Sequence, residues 1–242
     1  MAKRITQQAR GKGSMTFRVR PRAYRHKISY PGLRVEGVGK IIKLFNSSGH
    51  TSPLAEIEIK INEKEKARFI VPAAEGVYEG QEIYLGIRPE NANPLSGDIL
   101  MLKDISIGTK IFNIESVPGM GGKLLRAGGS SAVIAGNENG KTEILIRRRR
   151  IKLNENCRAV IGVVSGDGRK IKPLVKAGKS HYINKSKGRK WHRTSAVKVN
   201  AIDHPFGGGR GKRIKSKIAK RNAPPGRKVG HIRPKQTGRK KR

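Results

Sequence analysis

Positive charge is spread so unevenly along this chain that it decides which parts can fold alone. Residues 1–35 carry 10 basic and no acidic side chains, and residues 169–242 carry 26 basic side chains against one acid, Asp203. Between them, residues 36–90 carry 7 basic and 9 acidic groups, and residues 91–168 carry 11 and 7. The middle has the charge balance of an ordinary globular protein, and the two ends are cationic arms. Neither arm has enough apolar content to offset the entropy of ordering a chain, so each is expected to order only on a polyanion. The net charge of +37 on 242 residues points the same way, because self-repulsion on that scale opposes a compact state until nucleic acid neutralises it.

Other classes are excluded by what the chain lacks. Aromatic residues make up 5% of it, with Trp191 the single tryptophan, which favours contacts to phosphate and RNA shape over wholesale base stacking. One cysteine, Cys157, excludes an intramolecular disulfide and a multi-cysteine zinc site. No apolar run approaches the roughly 18 residues of a membrane helix, and Met1–Arg10 lacks the apolar stretch of a secretory signal. A soluble, intracellular protein with no membrane partner is expected.

The apolar pattern is that of an all-β core. Short β-type runs recur at Lys40–Phe45, Ala55–Ile61, Arg68–Val71 and Ile83–Leu85. In the second, Ala55, Ile57, Ile59 and Ile61 alternate with Glu56, Glu58 and Lys60, the period of a half-buried strand. Turn formers separate the runs at Asn46–Gly49, Pro72 and Gly80, a spacing that suggests a small barrel. A second all-β stretch runs from about Gly97 to Gly166. It holds a hairpin, Ser131–Ile134 and Thr142–Ile146 around Asn139-Gly140, a dipeptide that accepts positive φ at both residues. Val160–Val164 reads as a last buried strand, and beyond Gly166 regular structure fades.

Four strings could carry function. Arg147–Arg150 falls on the expected second strand of the hairpin; that strand either guards an exposed edge or meets phosphate, since a buried face could not hold unpaired guanidiniums. Gly119–Lys123 and Arg126–Ser131 are glycine-rich loops with cations. They are either plain turns or sites where backbone amides reach phosphates beside Lys123 and Arg126. A nucleotide P-loop is excluded, because Leu124 follows Gly122-Lys123 where magnesium needs Ser or Thr. Asp203–Arg210 is the most informative string. Asp203 and His204 could be paired as orienter and base, but no activated nucleophile accompanies them. The alternative is a turn in which Gly207, Gly208 and Gly209 let the chain pass close to RNA. His181 and His192 have no nearby thiols or carboxylates to complete a metal site and read as polar or stacking contacts to RNA.

Ordered strings give the chain a family. Thr16-Phe17-Arg18, Val117–Lys123, Cys157–Val164, Lys172–Gly178, Asn200–Gly209 and Asn222–Gly230 resemble, in family order over nearly the whole chain, the universal large-subunit ribosomal protein L-two family in its archaeal or eukaryotic-cytosolic form. The chain's brevity and lack of organelle targeting favour the archaeal form. The resemblance implies an OB-fold barrel followed by an SH3-like barrel, with long basic arms entering ribosomal RNA. The expected divisions are a basic arm over 1–35, an OB-fold over 36–90, an SH3-like barrel over 91–168 and a basic RNA-binding extension over 169–242. It implies a structural, non-enzymatic component of the cytoplasmic large ribosomal subunit. Its partners would be large-subunit RNA, neighbouring ribosomal proteins and the small subunit at the intersubunit face, with no homo-oligomer. The Asp-His-Pro loop would lie toward the peptidyl-transferase region, supporting subunit association and transfer-RNA placement. No cofactor is expected beyond structural Mg2+ associated with the RNA.

The residues expected to meet RNA begin with Arg18, Arg20, Arg25, Lys123, Arg126, Gly128, Arg147 and Arg149. They continue with Lys172, Lys176, Lys179, Arg189, Lys190, Trp191 and Arg193, and end with Asn200, Asp203, His204, Gly207, Gly208, Gly209, Arg210, Arg227 and Lys228. Where the family leads one to expect Arg-Gly before Asn200, the chain has Ser195-Ala196, which moves that contact to Arg193 or Lys198. A chromatin-type basic nucleic-acid-binding protein would share the charge but not the ordered strings.

Overall fold

The computed structural model describes residues 3–61, 65–86, 94–212, 214 and 218–232. Two compact units account for them: residues 21–173 form the larger, and 1–20 with 174–242 form the smaller. The expected boundary between residues 90 and 91 and the basic tail Arg239–Arg242 lie outside the described residues.

In the larger unit, strands follow one another as β1 (Gly37–Phe45), β2 (Leu54–Lys60), β3 (Lys66–Pro72), β4 (Glu82–Gly86) and β5 (Ile99–Met101). They continue as β6 (Lys110–Phe112), β7 (Ala132–Glu138), β8 (Lys141–Ile146), β9 (Arg149–Asn154) and β10 (Arg158–Ile161). Among the described residues these ten form one continuous sheet in the order β3-β2-β1-β4-β5-β10-β6-β7-β8-β9. Neighbours are antiparallel except β4 and β5, which run parallel with Leu85 opposite Ile99. Alternation places Ala55, Ile57 and Ile59 of β2 in the interior while Glu56 and Glu58 stay half-exposed; Ile61 lies past the strand end, exposed. Asn139 and Gly140 turn the β7–β8 hairpin with φ of 49° and 72°, as that dipeptide predicts.

Two apolar cores share the central strands. The first gathers Ile41, Ile57, Phe69, Val71, Ile83 and Leu85 with Ile99, Phe112 and Val160. The second gathers Leu102, Ile105, Ile114, Ile134 and Ile144 with Leu100, Ile111, Ala159 and Ile161. Neighbouring residues on β5, β6 and β10 therefore point alternately into different cores, so these strands are apolar on both faces. The strand expected over Val160–Val164 ends at Ile161. Gly162, at φ 113°, breaks the ladder, and Val164 makes an isolated bridge to Ala74.

Charge alone places residues 21–35 in an arm, yet they add Ala23, Ile28 and Tyr30 to the buried set. Tyr30 joins the first core and its hydroxyl donates to the Asn113 carbonyl at 2.6 Å.

The smaller unit holds α1 (Thr6–Gly11), α2 (Ala177–Ser186) and a parallel two-strand bridge of β11 (Ile218–Ala219) and β12 (His231–Ile232). Helix α2 corrects the expectation that regular structure fades after Gly166. It buries no side chain, so it has no apolar face to leave a 3.6-residue period. Ile5 and Ala219 are the unit's buried apolar side chains among the described residues.

A fragment of residues 21–173 should therefore be β-rich and unfold cooperatively without RNA, and a fragment of residues 36–168, which deletes Tyr30, should melt at lower temperature. Equal melting temperatures by circular dichroism would contradict this role for Tyr30.

Candidate nucleic-acid interface

The Asp203–Arg210 string folds into a tight loop tied by its own backbone. The N–H of Asp203 donates to the Asn200 carbonyl at 3.0 Å, that of Gly207 to His204 at 2.8 Å and that of Gly208 to Val199 at 3.0 Å. Gly207 lies so close to the Asn200 carbonyl that a Cβ would overlap it, and Gly208 sits at φ 82°. Gly209 sits there too, at φ 81°, so all three glycines are required by the chain's own folding before any RNA is considered.

His204 is held as a neutral donor. Its Nδ1 accepts the Phe206 N–H at 3.0 Å, which in a neutral ring leaves the proton on Nε2. Burial lowers its pKa from the ordinary value, in keeping with that form. The Asp203 carboxylate lies 3.6 Å from the Lys3 ammonium rather than orienting the imidazole, so the orienter-and-base pairing is not assembled. His204 lines a cleft of about 1040 Å³ with Lys3, Arg4, Gln8, Pro205 and Arg227. The lining carries cations and no carboxylate, a setting for an anion.

The glycine loops of the larger unit behave differently from their sequence reading. Glu115, wholly buried, accepts the N–H of Gly121 at 3.0 Å and of Gly119 at 3.3 Å. The Lys123 N–H goes to Ile114, and the Gly129 N–H to Val164. Gly128 is buried, donating to Thr51 Oγ1 at 3.2 Å, and a Cβ there would press on the carbonyls of Thr51, Ser165 and Gly166. These amides are satisfied inside the protein, so the expectation that they reach phosphates is corrected. What the loops present outward is the exposed side chains of Lys123 and Arg126.

Arg158, 2% exposed, completes the Glu115 site. Its backbone N–H, Nε and an Nη donate to the carboxylate at 3.0, 3.4 and 3.1 Å. Its guanidinium lies 5.1 Å from the Tyr30 ring centroid and donates to the Gly32 carbonyl at 3.4 Å. Sequence reasoning missed this pair. Its signal was an acid and a base each closing or opening an apolar run, Ile111–Glu115 and Arg158–Ile161, since buried charges come in pairs. Cys157 beside it is buried, its thiol pushed up to about 11 by burial and then by Glu115, far from a reactive thiolate.

The arginine run is also placed differently. Arg147 and Arg148 make the turn from β8 to β9, and only Arg149 and Arg150 lie on a strand. Arg147 adopts φ 58°, uncommon for a side chain of its size. β9 is an edge of the sheet and all four arginines are exposed. The other expected cations are exposed too: Arg25 and Lys172 on the larger unit, and Arg18, Arg20, Lys176, Lys179, Arg189, Lys190, Arg193, Arg210, Arg227 and Lys228 on the smaller. Asn200 and Gly209 are exposed, and Trp191 is half-buried.

The Glu115–Arg158 contact makes a quantitative prediction. Glu115→Gln leaves a guanidinium buried without its counter-charge and should cost about 3–5 kcal/mol, read as a fall in the urea midpoint of the larger unit. Adding Arg158→Met should restore part of the loss; a double variant no more stable than the single one would refute the pairing.

Known proteins resemble the chain along its whole length. The family model described as Ribosomal Proteins L2, C-terminal domain, matches residues 95–226. The large ribosomal subunit protein uL2 of Hyperthermus butylicus is 42% identical over 245 residues, spanning 100% of both chains. Those of Methanocaldococcus jannaschii and Archaeoglobus fulgidus are 41% and 40% identical, each over 98% of this chain and 99% of its own.

Proposed function

Because the chain belongs to the L2 family of large ribosomal subunit proteins, in its archaeal form, we propose that large-subunit ribosomal RNA is the polyanion that orders its basic arms. Members of this family are structural components of the cytoplasmic large subunit and not enzymes. The observation that carries the RNA reading is the smaller unit: the cations expected to meet RNA there are exposed, while Ile5 and Ala219 are its buried apolar side chains among the described residues. A segment so built gains its order from phosphate contacts rather than from a core.

In this reading β1–β4 belong to an OB-fold barrel over residues 36–90, and β5–β10 to an SH3-like barrel over 91–168, with arms over 1–35 and 169–242. The shared central strands and the two apolar cores support a two-barrel description. Lys123, Arg126, Arg147, Arg149 and Lys172 supply phosphate contacts from the larger unit. The 200–210 loop, with its cationic cleft, approaches the RNA near the peptidyl-transferase region. There it supports subunit association and transfer-RNA placement. The chain acts as a single copy among neighbouring ribosomal proteins, with no cofactor of its own beyond Mg2+ held by the RNA.

Binding to large-subunit RNA should weaken steeply with salt, at a log–log slope near −0.9 per phosphate on duplex. Deleting residues 205–242 should flatten that slope more than neutralising the cations of 36–90. Equal slopes, or equal affinity for duplex DNA at the same salt, would favour a general basic nucleic-acid-binding protein instead.

His204 separates positioning from chemistry. With Nδ1 committed to Phe206, the ring can donate from Nε2 to RNA but is poorly placed to act as a base. His204→Ala should be incorporated into subunits and lower peptidyl transfer only mildly, leaving its pH profile unchanged. A loss on the order of 10²–10⁴-fold in correctly assembled particles, following an imidazole titration, would mark a general base instead.

A further inference from the structure

Four rings of the smaller unit form one connected group. Helix α2 carries His181 and Tyr182, whose rings meet edge-on at 5.3 Å and 81°. His181 meets Trp191 in the same manner at 5.4 Å and 74°, and Trp191 lies against His192 at 3.8 Å and 48°. His192 holds its place from a left-handed backbone, φ 55°, which a non-glycine residue adopts only at a cost.

Rings in such contacts ordinarily sit inside a core, but here the two ends of the group, Tyr182 and His192, are exposed, while His181 and Trp191 are half-buried. Tyr182 is 69% exposed, and α2 buries none of its side chains. An edge-on pair uses the edge of one ring and one face of the other, so π surface remains open at the exposed Tyr182 and His192 rings. The flanking charge is of one sign: Lys185, Lys187, Arg189 and Lys190 lie between the two halves of the group, and no carboxylate occurs from residue 169 to 202.

We propose that Tyr182, His181, Trp191 and His192 are a stacking platform for an unstacked RNA nucleobase, with the neighbouring cations holding the phosphates on either side of it. The inference rests on the RNA-binding reading above and narrows it from backbone charge to a contact with a base. An exposed π surface inside a cationic field matches a ligand that joins a flat ring to a phosphate chain. Duplex bases hide their faces in the stack, so the ligand is a base in a loop, bulge or single strand. A sequence with 5% aromatics does not stack bases along its length, but one platform needs only these rings.

The test uses the full chain, because Trp191 is its only tryptophan and fluorescence excited at the red edge, where tyrosine does not absorb, therefore reports this place alone. The chain is titrated with an end-labelled single-stranded RNA oligonucleotide and with an abasic one of equal length and charge. Label anisotropy gives the occupancy. At equal occupancy the base-bearing strand should quench Trp191 and the abasic strand should not. Tyr182→Ala should weaken binding of the base-bearing strand by about 5–150-fold, the span of one base–aromatic contact, and leave abasic binding unchanged. Trp191→Phe should keep the preference for bases and Trp191→Leu should lose it. Tyr182 packs into no core, so its replacement tests the surface and not the fold.

Equal quenching by the two strands, or by polyglutamate, would overturn the platform in favour of plain charge binding. Binding of ribosomal RNA with Trp191 fluorescence unmoved would sink the platform and leave the RNA-binding reading standing. A chain that bound no RNA would lose both.

Discussion

One carboxylate, that of Glu115, is the contact on which the larger unit is organised. Stripping such a group of water costs several kcal/mol, recovered only when its lone pairs and its counter-charge are fully matched. Five N–H groups meet it: three from Arg158 and the amides of Gly119 and Gly121. Through these it ties the first residue of β10 to the loop after β6, and through Arg158 to Gly32 and the Tyr30 ring. The glycines of that loop are needed because amides must converge on one anion. The anion belongs to the protein. That leaves Lys123 with its backbone N–H on Ile114 and its exposed side chain donating to Met120 Sδ at 3.2 Å.

How much of this could be read from residues depends on whether a feature is local. The alternation of Ala55, Ile57 and Ile59 and the Asn139-Gly140 turn are local, and both read correctly. Tyr30 did not, because its neighbours Arg25, Lys27 and Arg34 mark the segment as an arm, while its burial depends on Asn113 far along the chain. Arg147 and Arg148 were read as strand because charge carries no turn signal of its own; only the backbone reveals the left-handed Arg147. Helix α2 escaped for a similar reason, having no buried stripe. In the candidate site, exposed cations were legible as cations. The uses of the glycine amides were not, since Glu115, Thr51 and Val164 reach them from other segments.

The two units also divide the physics. Apolar burial stabilises residues 21–173, where 16 acidic groups offset most of the 25 basic ones and the Glu115–Arg158 pair in the interior is complete. In the smaller unit, hydrogen bonds within short turns shape local pieces such as the 200–208 loop, and burial contributes little. Such local shaping matters for a surface that must meet a rigid polyanion. It holds donors, rings and cations together within each turn, so phosphate contacts order whole turns rather than single residues and less entropy is lost when they form. The neutral His204 ring fits that pattern, being set by a backbone amide two residues away.

β10 lies between β5 and β6 in the sheet but follows both in the chain. A nascent chain therefore makes β1 to β9 while the last strand shared by both cores is still missing. At roughly 5–20 residues per second, the interval between the end of β4 at Gly86 and the arrival of Arg158 is about 4–14 s. During that time the faces destined for Val160 on one side and Ala159 and Ile161 on the other stay open together. Synthesis thus closes both cores with one late stroke, and Arg158, first residue of that strand, brings to Glu115 its counter-charge in the same step.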